Sequence, residues 1–216
     1  MKLFITGASS GIGRAVAVEA AKRGARCVLA ARRADELEKT RRMMERADEQ
    51  VVREVDFADH DGIELELMRI FTEEGPFDGV VYCAGVCPVT PLARLDLAAL
   101  EETMRVNCGG FVATMRAFAA KGAHAEKAWS VAVSSVSATT GWAGGTAYCA
   151  SKGALSAAAR ALAVELAPKG IKVTAIEPEY VLTDMFRRGA GRMGVPESNA
   201  ESPETVAARL LDGMTS

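Results

Sequence analysis

Six short apolar segments alternate along this chain with longer stretches in which apolar residues recur at helical spacing. The apolar segments are predicted strands, at residues 3–5, 27–30, 51–55, 79–83, 129–134 and 172–176. Short apolar strands separated by helices are typical of parallel sheets that helices cover on both faces. Because crossovers between parallel strands are right-handed, we predict an α/β fold with a doubly wound, Rossmann-like parallel sheet of about six strands in three layers.

The predicted helices lie between these strands and after the last one, at about residues 11–23, 34–47, 63–71, 96–120, 148–167 and 203–212. Gly24 is typical of the position just after a helix, and Ser202 followed by Pro203 predicts the N-cap and first position of the last helix. Segment 187–201 is rich in Gly, Arg and Met and lacks periodicity, so we predict a mobile loop beside the site.

The composition limits the classes of function. With 216 residues, 49% of them apolar, the chain can bury a full core, and we predict one domain over residues 1–216. A net charge of −2 does not favour a nucleic-acid partner, and two histidines do not favour a His-rich zinc site. No apolar run approaches the roughly 18 residues of a membrane span. Five cysteines without a C-x-x-C pair predict reduced, buried thiols in a cytoplasmic protein.

The turn after the first predicted strand contains three glycines with distinct expected roles. Gly7 permits a sharp turn, Gly11 lets the backbone approach a pyrophosphate, and Gly13 lets the helix pack closely on the strand. The free N–H groups at the helix N-terminus then favour phosphate. We predict a dinucleotide site formed by Gly7, Ser9, Ser10, Gly11, Ile12 and Gly13. A tight turn without a ligand is the alternative.

The end of the second predicted strand indicates which dinucleotide binds. NAD sites place an acidic side chain there, which hydrogen-bonds the ribose 2′-hydroxyl. This chain has Arg32 and Arg33 instead, and a guanidinium binds a 2′-phosphate through two parallel charge-assisted hydrogen bonds. The sequence therefore predicts NADP(H). The alternative, a solvated helix start, is less favoured because basic residues at a helix N-terminus oppose the helix dipole.

Tyr148 and Lys152 are four residues apart on a predicted helix, so their side chains share one face. A free tyrosine titrates near 10, and we expect the neighbouring ammonium to lower the pKa of Tyr148 toward a value suited to proton transfer. Ser135 ends the preceding strand, where its hydroxyl can stabilise charge on a substrate oxygen. A Y-x-x-x-K pair alone is common on helix surfaces, so the prediction of catalysis depends on the combination.

Together these motifs resemble the short-chain dehydrogenase/reductase family over about residues 1–185. The resemblance is carried by the T-G-x-x-x-G-x-G turn and by further single positions, namely Asp56, Ala84, Gly85, Asn107, Ser135, Tyr148, Lys152, Pro178 and Thr183. It implies a compact NADP(H)-dependent oxidoreductase. Within the family the resemblance is to the 3-oxoacyl-acyl-carrier-protein reductases, and it implies a small carbonyl or alcohol compound as substrate.

The resemblance also implies roles for individual residues. Asp56, followed by Phe57, would contact adenine, and Ala84 with Gly85 would line its ribose. Lys152 would hold the nicotinamide ribose, and Asn107 would support a water chain that returns protons to the Tyr-Lys pair. The nicotinamide carboxamide would meet residues after the sixth strand, namely Pro178, Val181 and Thr183. The alternatives are that Asp56 caps the next turn, that Asn107 bonds to the backbone of a kinked helix, and that Trp142 packs within its loop instead of forming a wall of the substrate pocket.

The sequence departs from the family pattern in three places. Tyr82 and Cys83 replace two asparagines, which removes side-chain hydrogen bonds that steady the central strand. Glu179 replaces a glycine beside the nicotinamide. The family's final strand has no counterpart, so we expect a more open substrate pocket and a homodimer through the helices near 96–120 and 150–167.

These features predict an enzyme that reduces a carbonyl to a secondary alcohol, or catalyses the reverse, by hydride transfer with Tyr148 as proton donor or acceptor. A steroid or sugar alcohol dehydrogenase is the alternative among enzymes. A catalytically weak NADP(H)-binding sensor or scaffold protein is the alternative from another class. Glu179 and the changed strand end favour that reading, whereas the complete set of Asn107, Ser135, Tyr148 and Lys152 disfavours it.

Overall fold

The computed structural model describes residues 1–59 and 61–214, without the side chains of residues 190–193. The described residues form a parallel sheet of six strands in the order β3-β2-β1-β4-β5-β6. The strands are β1 Lys2–Thr6, β2 Arg26–Ala31, β3 Val51–Glu54, β4 Phe77–Tyr82, β5 His124–Val133 and β6 Ile171–Ile176. The predicted doubly wound sheet is confirmed. Because the strand order reverses between β1 and β4, a ligand crevice is expected at their carboxyl ends.

Helices cover both faces of this sheet. They are α1 Gly11–Lys22, α2 Ala34–Met43, α3 Ile63–Glu74, α4 Leu97–Met104, α5 Gly110–Phe118, α6 Thr146–Leu166, α7 Asp184–Met193 and α8 Pro203–Asp212. Neighbouring strand residues point to opposite faces. Phe4 packs with side chains of α3, α5 and α6, while Ile5 packs with those of α1, α2 and α8. The result is the predicted three-layer arrangement, with two buried apolar clusters separated by the sheet.

Two predicted helices differ from those observed. The helix expected to reach residue 47 ends at Met43, because Met44 is buried in an extended conformation and Arg46 takes a left-handed backbone with φ 51°. The long helix expected over 96–120 contains a π-helical turn at Arg105–Gly109, between α4 and α5. Such π turns occur frequently at functional sites.

The prediction of a mobile loop over 187–201 is wrong for its first half, since α7 continues to Met193. The Thr183 hydroxyl caps this helix by accepting a hydrogen bond from the Phe186 N–H at 3.2 Å, and the Phe186 side chain is buried. After the helix, the chain returns so that Glu201 pairs with the backbone around Val181. A cap and one buried anchor therefore outweigh the low helix propensity of a glycine-rich segment.

No helix in the described part of the chain has the length and apolar character needed to cross a membrane.

Candidate active site

A cleft of about 630 Å³ lies at the carboxyl ends of the central strands. It extends from the end of β2, past the turn between β1 and α1, to the N-terminal part of α6. Fifteen of the residues singled out from the sequence line it, namely Gly7, Ser9, Ser10, Gly11, Ile12, Gly13, Arg32, Arg33, Asp56, Phe57, Ala84, Gly85, Tyr148, Lys152 and Thr183. The volume is in the range usual for ligand sites.

The glycine turn has the geometry expected of a phosphate-binding loop. Gly7 has φ 63°, and a Cβ there would lie 2.6 Å from the Cys83 carbonyl oxygen. A Cβ on Gly13 would overlap the Gly7 carbonyl. Gly11 has φ 53° and faces Thr183 across the cleft. The Ser10 hydroxyl makes no capping hydrogen bond to α1, so the turn and helix N-terminus fit the pyrophosphate of a dinucleotide.

Two guanidinium groups lie at one end of the cleft. The Arg33 Nη2 lies 3.3 Å from the Ser9 hydroxyl oxygen and 3.4 Å from that of Ser10. The Arg32 Nε lies 3.9 Å from an Asp56 carboxylate oxygen, and both side chains are about half exposed. The same Asp56 oxygen accepts a hydrogen bond from the Ala58 N–H at 2.9 Å, so Asp56 does cap the next turn. This end of the cleft therefore combines the guanidinium groups of Arg32 and Arg33 with the hydroxyl groups of Ser9 and Ser10.

Tyr148 and Lys152 line the other end of the cleft, and Ser135 lies beside the Tyr148 side chain. The Lys152 Nζ donates a hydrogen bond to the Val133 carbonyl at 2.7 Å and lies 5.7 Å from the centre of the Tyr148 ring. The Ser135 hydroxyl is hydrogen-bonded to the Tyr148 side chain, an interaction that lowers the pKa of the phenol. The same hydroxyl oxygen accepts from the Ser137 N–H at 3.1 Å, which fixes its position. This arrangement can hold a carbonyl oxygen between two hydroxyl groups.

Burial changes the acid–base properties of this pair. It lowers the pKa of Lys152 from 10.5 to about 8, because the ammonium loses hydration. It raises the pKa of Tyr148 above its ordinary value, and the nearby Cys87 thiol adds to this effect. The expectation that Lys152 lowers the pKa of Tyr148 is therefore wrong for this structure. The physical reason is that the loss of hydration disfavours the phenolate more than the hydrogen bond to Ser135 favours it.

Asn107 lies on the π-helical turn, fully buried behind the cleft. Its side-chain oxygen accepts from the Val86 N–H at 2.8 Å, and its Nδ2 donates to the Val86 carbonyl at 2.9 Å and to the Ser151 hydroxyl at 2.8 Å. Ser151 in turn donates to the Tyr148 carbonyl at 2.7 Å. The amide thus joins the segment after β4 to the turn of α6 that carries Tyr148.

The end of β4 lacks the two asparagines of the family pattern, and different hydrogen bonds hold it in place. The Thr6 hydroxyl accepts from the N–H groups of Cys83 and Ala84, both at 3.0 Å. The Tyr82 hydroxyl donates to the Val106 carbonyl at 2.5 Å. The expected loss of support is therefore offset, because Tyr82 reaches the π-helical turn that an asparagine is too short to contact.

A second cavity of about 110 Å³ adjoins the cleft at Tyr148. It contains three more of the predicted site residues, namely Ser135, Pro178 and Val181. Trp142 also lines it, with its ring centre 6.5 Å from that of Tyr148, and its indole N–H donates to the Ser137 hydroxyl at 3.2 Å. Trp142 therefore both lines the cavity and is held within its own loop.

The sequence reasoning missed several residues that line these spaces. Val86, Cys87 and Pro88 follow the predicted strand end directly, so their position in the chain was an available signal. Met185 and Arg188 lie on α7, a helix that the sequence analysis did not predict; the loop that it predicted over 187–201 includes Arg188 but not Met185. Among the described residues, no group of three or more His, Cys, Asp or Glu side chains is placed to hold a metal ion.

Comparison with known proteins identifies one family. The model of the family described as short chain dehydrogenase matches residues 2–191. Glycine betaine reductase ATRR of Emericella nidulans is 36% identical over 214 residues, which are 96% of this chain and 16% of that protein. An uncharacterized oxidoreductase of Myxococcus xanthus is 34% identical, with 84% of this chain and 72% of that protein covered. The 3-ketodihydrosphingosine reductase of Bos taurus is 35% identical, and the match spans 86% of this chain but 58% of that protein.

Solved structures have the same fold. An actinorhodin polyketide ketoreductase crystallised with NADPH superposes with a TM-score of 0.86 at 24% identity, over 99% of this chain and 89% of that chain. A putative NAD(P)-dependent gluconate 5-dehydrogenase from Beutenbergia cavernae, with NADP bound at low occupancy, gives a TM-score of 0.83 at 27% identity, over 97% and 87% of the two chains. The chain thus spans most of these structures but only a small part of the Emericella protein.

Proposed function

The chain belongs to the short-chain dehydrogenase/reductase family of oxidoreductases, and on this premise we propose that it reduces a carbonyl to a secondary alcohol, or catalyses the reverse, with NADP(H). The observation that carries the proposal is the position of Tyr148, which lines both the large cleft and the adjoining small cavity. A group bound in the cleft and a substrate bound in the cavity would therefore meet at its hydroxyl.

Each side chain at this point has a definite task in the proposed reaction. When bound, NADP(H) supplies or accepts the hydride. Tyr148 donates its hydroxyl proton to the carbonyl oxygen, and Ser135 hydrogen-bonds the same oxygen as negative charge develops there. Lys152 places a proton-bearing group beside the phenol and would hold the nicotinamide ribose. Asn107 positions Tyr148 through Ser151.

The preference for NADP(H) over NAD(H) is part of the proposal. The strand β2 ends at Ala31, and the next two residues contribute guanidinium groups to the cleft instead of a carboxylate. Arg33 already lies within hydrogen-bond distance of Ser9 and Ser10, so these three side chains form one polar group around a 2′-phosphate.

The carbonyl substrate belongs to one of several classes. Reduction of a 3-oxoacyl-acyl-carrier protein is the first candidate, and the names of the ketoreductase and ketodihydrosphingosine reductase relatives favour a ketone. The name of the Emericella relative points to a quaternary ammonium compound. A steroid or sugar alcohol is the remaining candidate substrate. A sensor or scaffold role with weak catalysis is the remaining candidate function. The changed end of β4 was one reason to expect a sensor with weak catalysis. The hydrogen bonds of Thr6 and Tyr82 remove that reason, because they hold the strand end in place.

We also propose a cytoplasmic homodimer formed through α4, α5 and α6. Leu97, Val112 and Val164 on these helices expose apolar side chains, with exposed fractions of 71%, 45% and 78%. Burying such side chains against a second copy is favourable. Cysteines at five positions are free, which fits a reducing compartment.

A turnover assay tests the proposed function. Purified protein is mixed with NADPH and a panel of ketones and diketones, and the absorbance of the reduced nicotinamide is followed. We expect slow turnover of some member, no turnover after Tyr148→Phe, and retained NADPH binding by that variant, because only one hydroxyl is removed. Tight NADPH binding by the unaltered protein without turnover of any substrate would favour the sensor reading.

A further inference from the structure

We propose that the small cavity beside Tyr148 binds a substituted ammonium group, so that the substrate is a ketone carrying an alkylammonium cation. The proposal deepens the reductase function and rests on it. It is carried by the side chains that line the cavity, which combine aromatic rings with a single carboxylate.

Four of the residues that line this cavity are aromatic. Trp142, Tyr180 and Phe186 line it together with Tyr148. The rings form two tilted pairs, Trp142 with Tyr148 at 6.5 Å between centres and Tyr180 with Phe186 at 5.9 Å, both at 52°. An aromatic ring attracts a cation to its face, and groups of such rings are a recognised way of binding quaternary ammonium ligands.

The charge of the cavity points in the same direction. Among the described residues that line it, Glu179 is the only one with a formal charge, and it lies at the solvent-exposed edge of the cavity. The Glu179 carboxylate has no ion-pair partner among the side chains that the structure describes. The nearest catalytic cation, Lys152, lines the larger cleft and donates to the Val133 carbonyl, so it does not neutralise this carboxylate. The cavity is therefore electrostatically favourable to a cation.

The wall is also fixed before a ligand arrives. The indole N–H of Trp142 is hydrogen-bonded to Ser137, and Phe186 is 7% exposed under the cap of α7. The volume of about 110 Å³ is well below that of a site for a drug-sized ligand, so it fits a small head group. A neutral alkyl group would also contact the rings, but it would leave the carboxylate without a partner, and an anionic head group would be repelled.

A pair of ketones with the same shape and different charge tests the inference. Trimethyl(2-oxopropyl)ammonium carries a quaternary nitrogen where 4,4-dimethylpentan-2-one carries a quaternary carbon. We expect kcat/KM for the cation to exceed that for the neutral ketone at least about tenfold, the effect of one good cation contact. Glu179→Gln should remove most of this preference. Glu126→Gln, which removes an exposed carboxylate far from the cavity, should leave the preference intact.

A binding measurement separates the inference from the proposed function. Tetramethylammonium should quench tryptophan fluorescence in the unaltered protein and much less after Glu179→Gln or Trp142→Leu. Binding of tetramethylammonium without reduction of any ketone would sustain the cation site and refute the reductase function. Equal kcat/KM for the two ketones, or a preference that survives Glu179→Gln, would refute the cation site and leave the reductase function. If neither ketone is reduced and tetramethylammonium does not bind, both the cation site and the reductase function are refuted.

Discussion

The hydroxyl of Tyr82 fills the space into which a side chain on Gly110 would project. A Cβ at Gly110 would overlap that oxygen and would lie 3.0 Å from the Phe57 ring. The Tyr82 hydroxyl donates to the Val106 carbonyl at 2.5 Å, so the end of the central strand β4 is tied to the π-helical turn that carries Asn107. The contact of Tyr82 with this turn therefore links β4, which borders the cleft, to Asn107, which positions Tyr148.

Gly110→Ala should destabilise the protein by about 1–3 kcal/mol, because the added methyl group meets buried atoms that have no room to move. Urea unfolding followed by circular dichroism measures the change. Tyr82→Phe should restore part of the loss in the double variant, since it removes the overlapping oxygen. Gly141→Ala is the control, because nothing lies within 4 Å of a Cβ there. An unchanged urea midpoint for Gly110→Ala would contradict the prediction, because it would show that α5 shifts away from Tyr82 with little loss of stability.

Arg32→Ala and Arg33→Ala should each weaken NADPH binding about tenfold or more and change NADH binding little. The reason is that only NADPH has a 2′-phosphate, and hydrogen bonds to charged groups contribute about 1.5–3 kcal/mol each. Isothermal titration with both dinucleotides measures the ratio. Arg42→Ala, on the helix α2 that follows these two arginines, is the matched control, since that side chain is exposed and outside the lining of the cleft. Equal weakening of both dinucleotides would remove the argument for NADP(H).

Lys152→Met should change how stability depends on pH. The pKa of Lys152 is about 8 in the folded chain and 10.5 ordinarily, so the unfolded chain binds more protons between these values. The penalty of burying the ammonium is therefore fully present below pH 8 and is lost as pH rises toward 10.5. We expect the methionine variant to be more stable at pH 7, by at most about 3 kcal/mol, with the difference shrinking by pH 10.

Urea unfolding at pH 7, 8, 9 and 10 without dinucleotide measures this difference. Lys127→Met, at an exposed position, is the control and should show no such trend. A difference between Lys152→Met and the unaltered protein that stays constant over the whole range would contradict the depressed pKa.

Asn107→Ala should lower both stability and turnover. It leaves the N–H and carbonyl of Val86 without their partners in a partly buried place, which costs at most about 1–3 kcal/mol for each group. It also releases Ser151, so the backbone of Tyr148 loses support and kcat should fall while the Kd for NADPH stays nearly unchanged. Asn107→Asp keeps one hydrogen-bond acceptor, so its stability and kcat should lie between those of the unaltered protein and of Asn107→Ala. Asn199→Ala, at an exposed position, is the control. Unchanged kcat in Asn107→Ala would exclude the positioning role.

Much of the architecture could be predicted because it follows from local rules. The alternation of apolar segments gave the strands, Ser202 does accept from the Thr205 N–H to cap α8, and Gly24 has the left-handed φ of 84° expected after a helix. The four-residue spacing of Tyr148 and Lys152 places them on one face of a helix in any fold.

The rest depended on contacts between residues far apart in the chain. No local pattern links Tyr82 to Val106 and Gly110, or brings Tyr180 and Phe186 around the cavity that Tyr148 closes. The sequence alone determined which groups meet at the carboxyl ends of the strands, because spacing and alternation are properties of short segments. Only the tertiary structure decided that Tyr148 holds its proton more tightly, that α7 is a helix and that Glu179 lines the same cavity as several aromatic residues, because burial and charge depend on what the whole chain packs around each group.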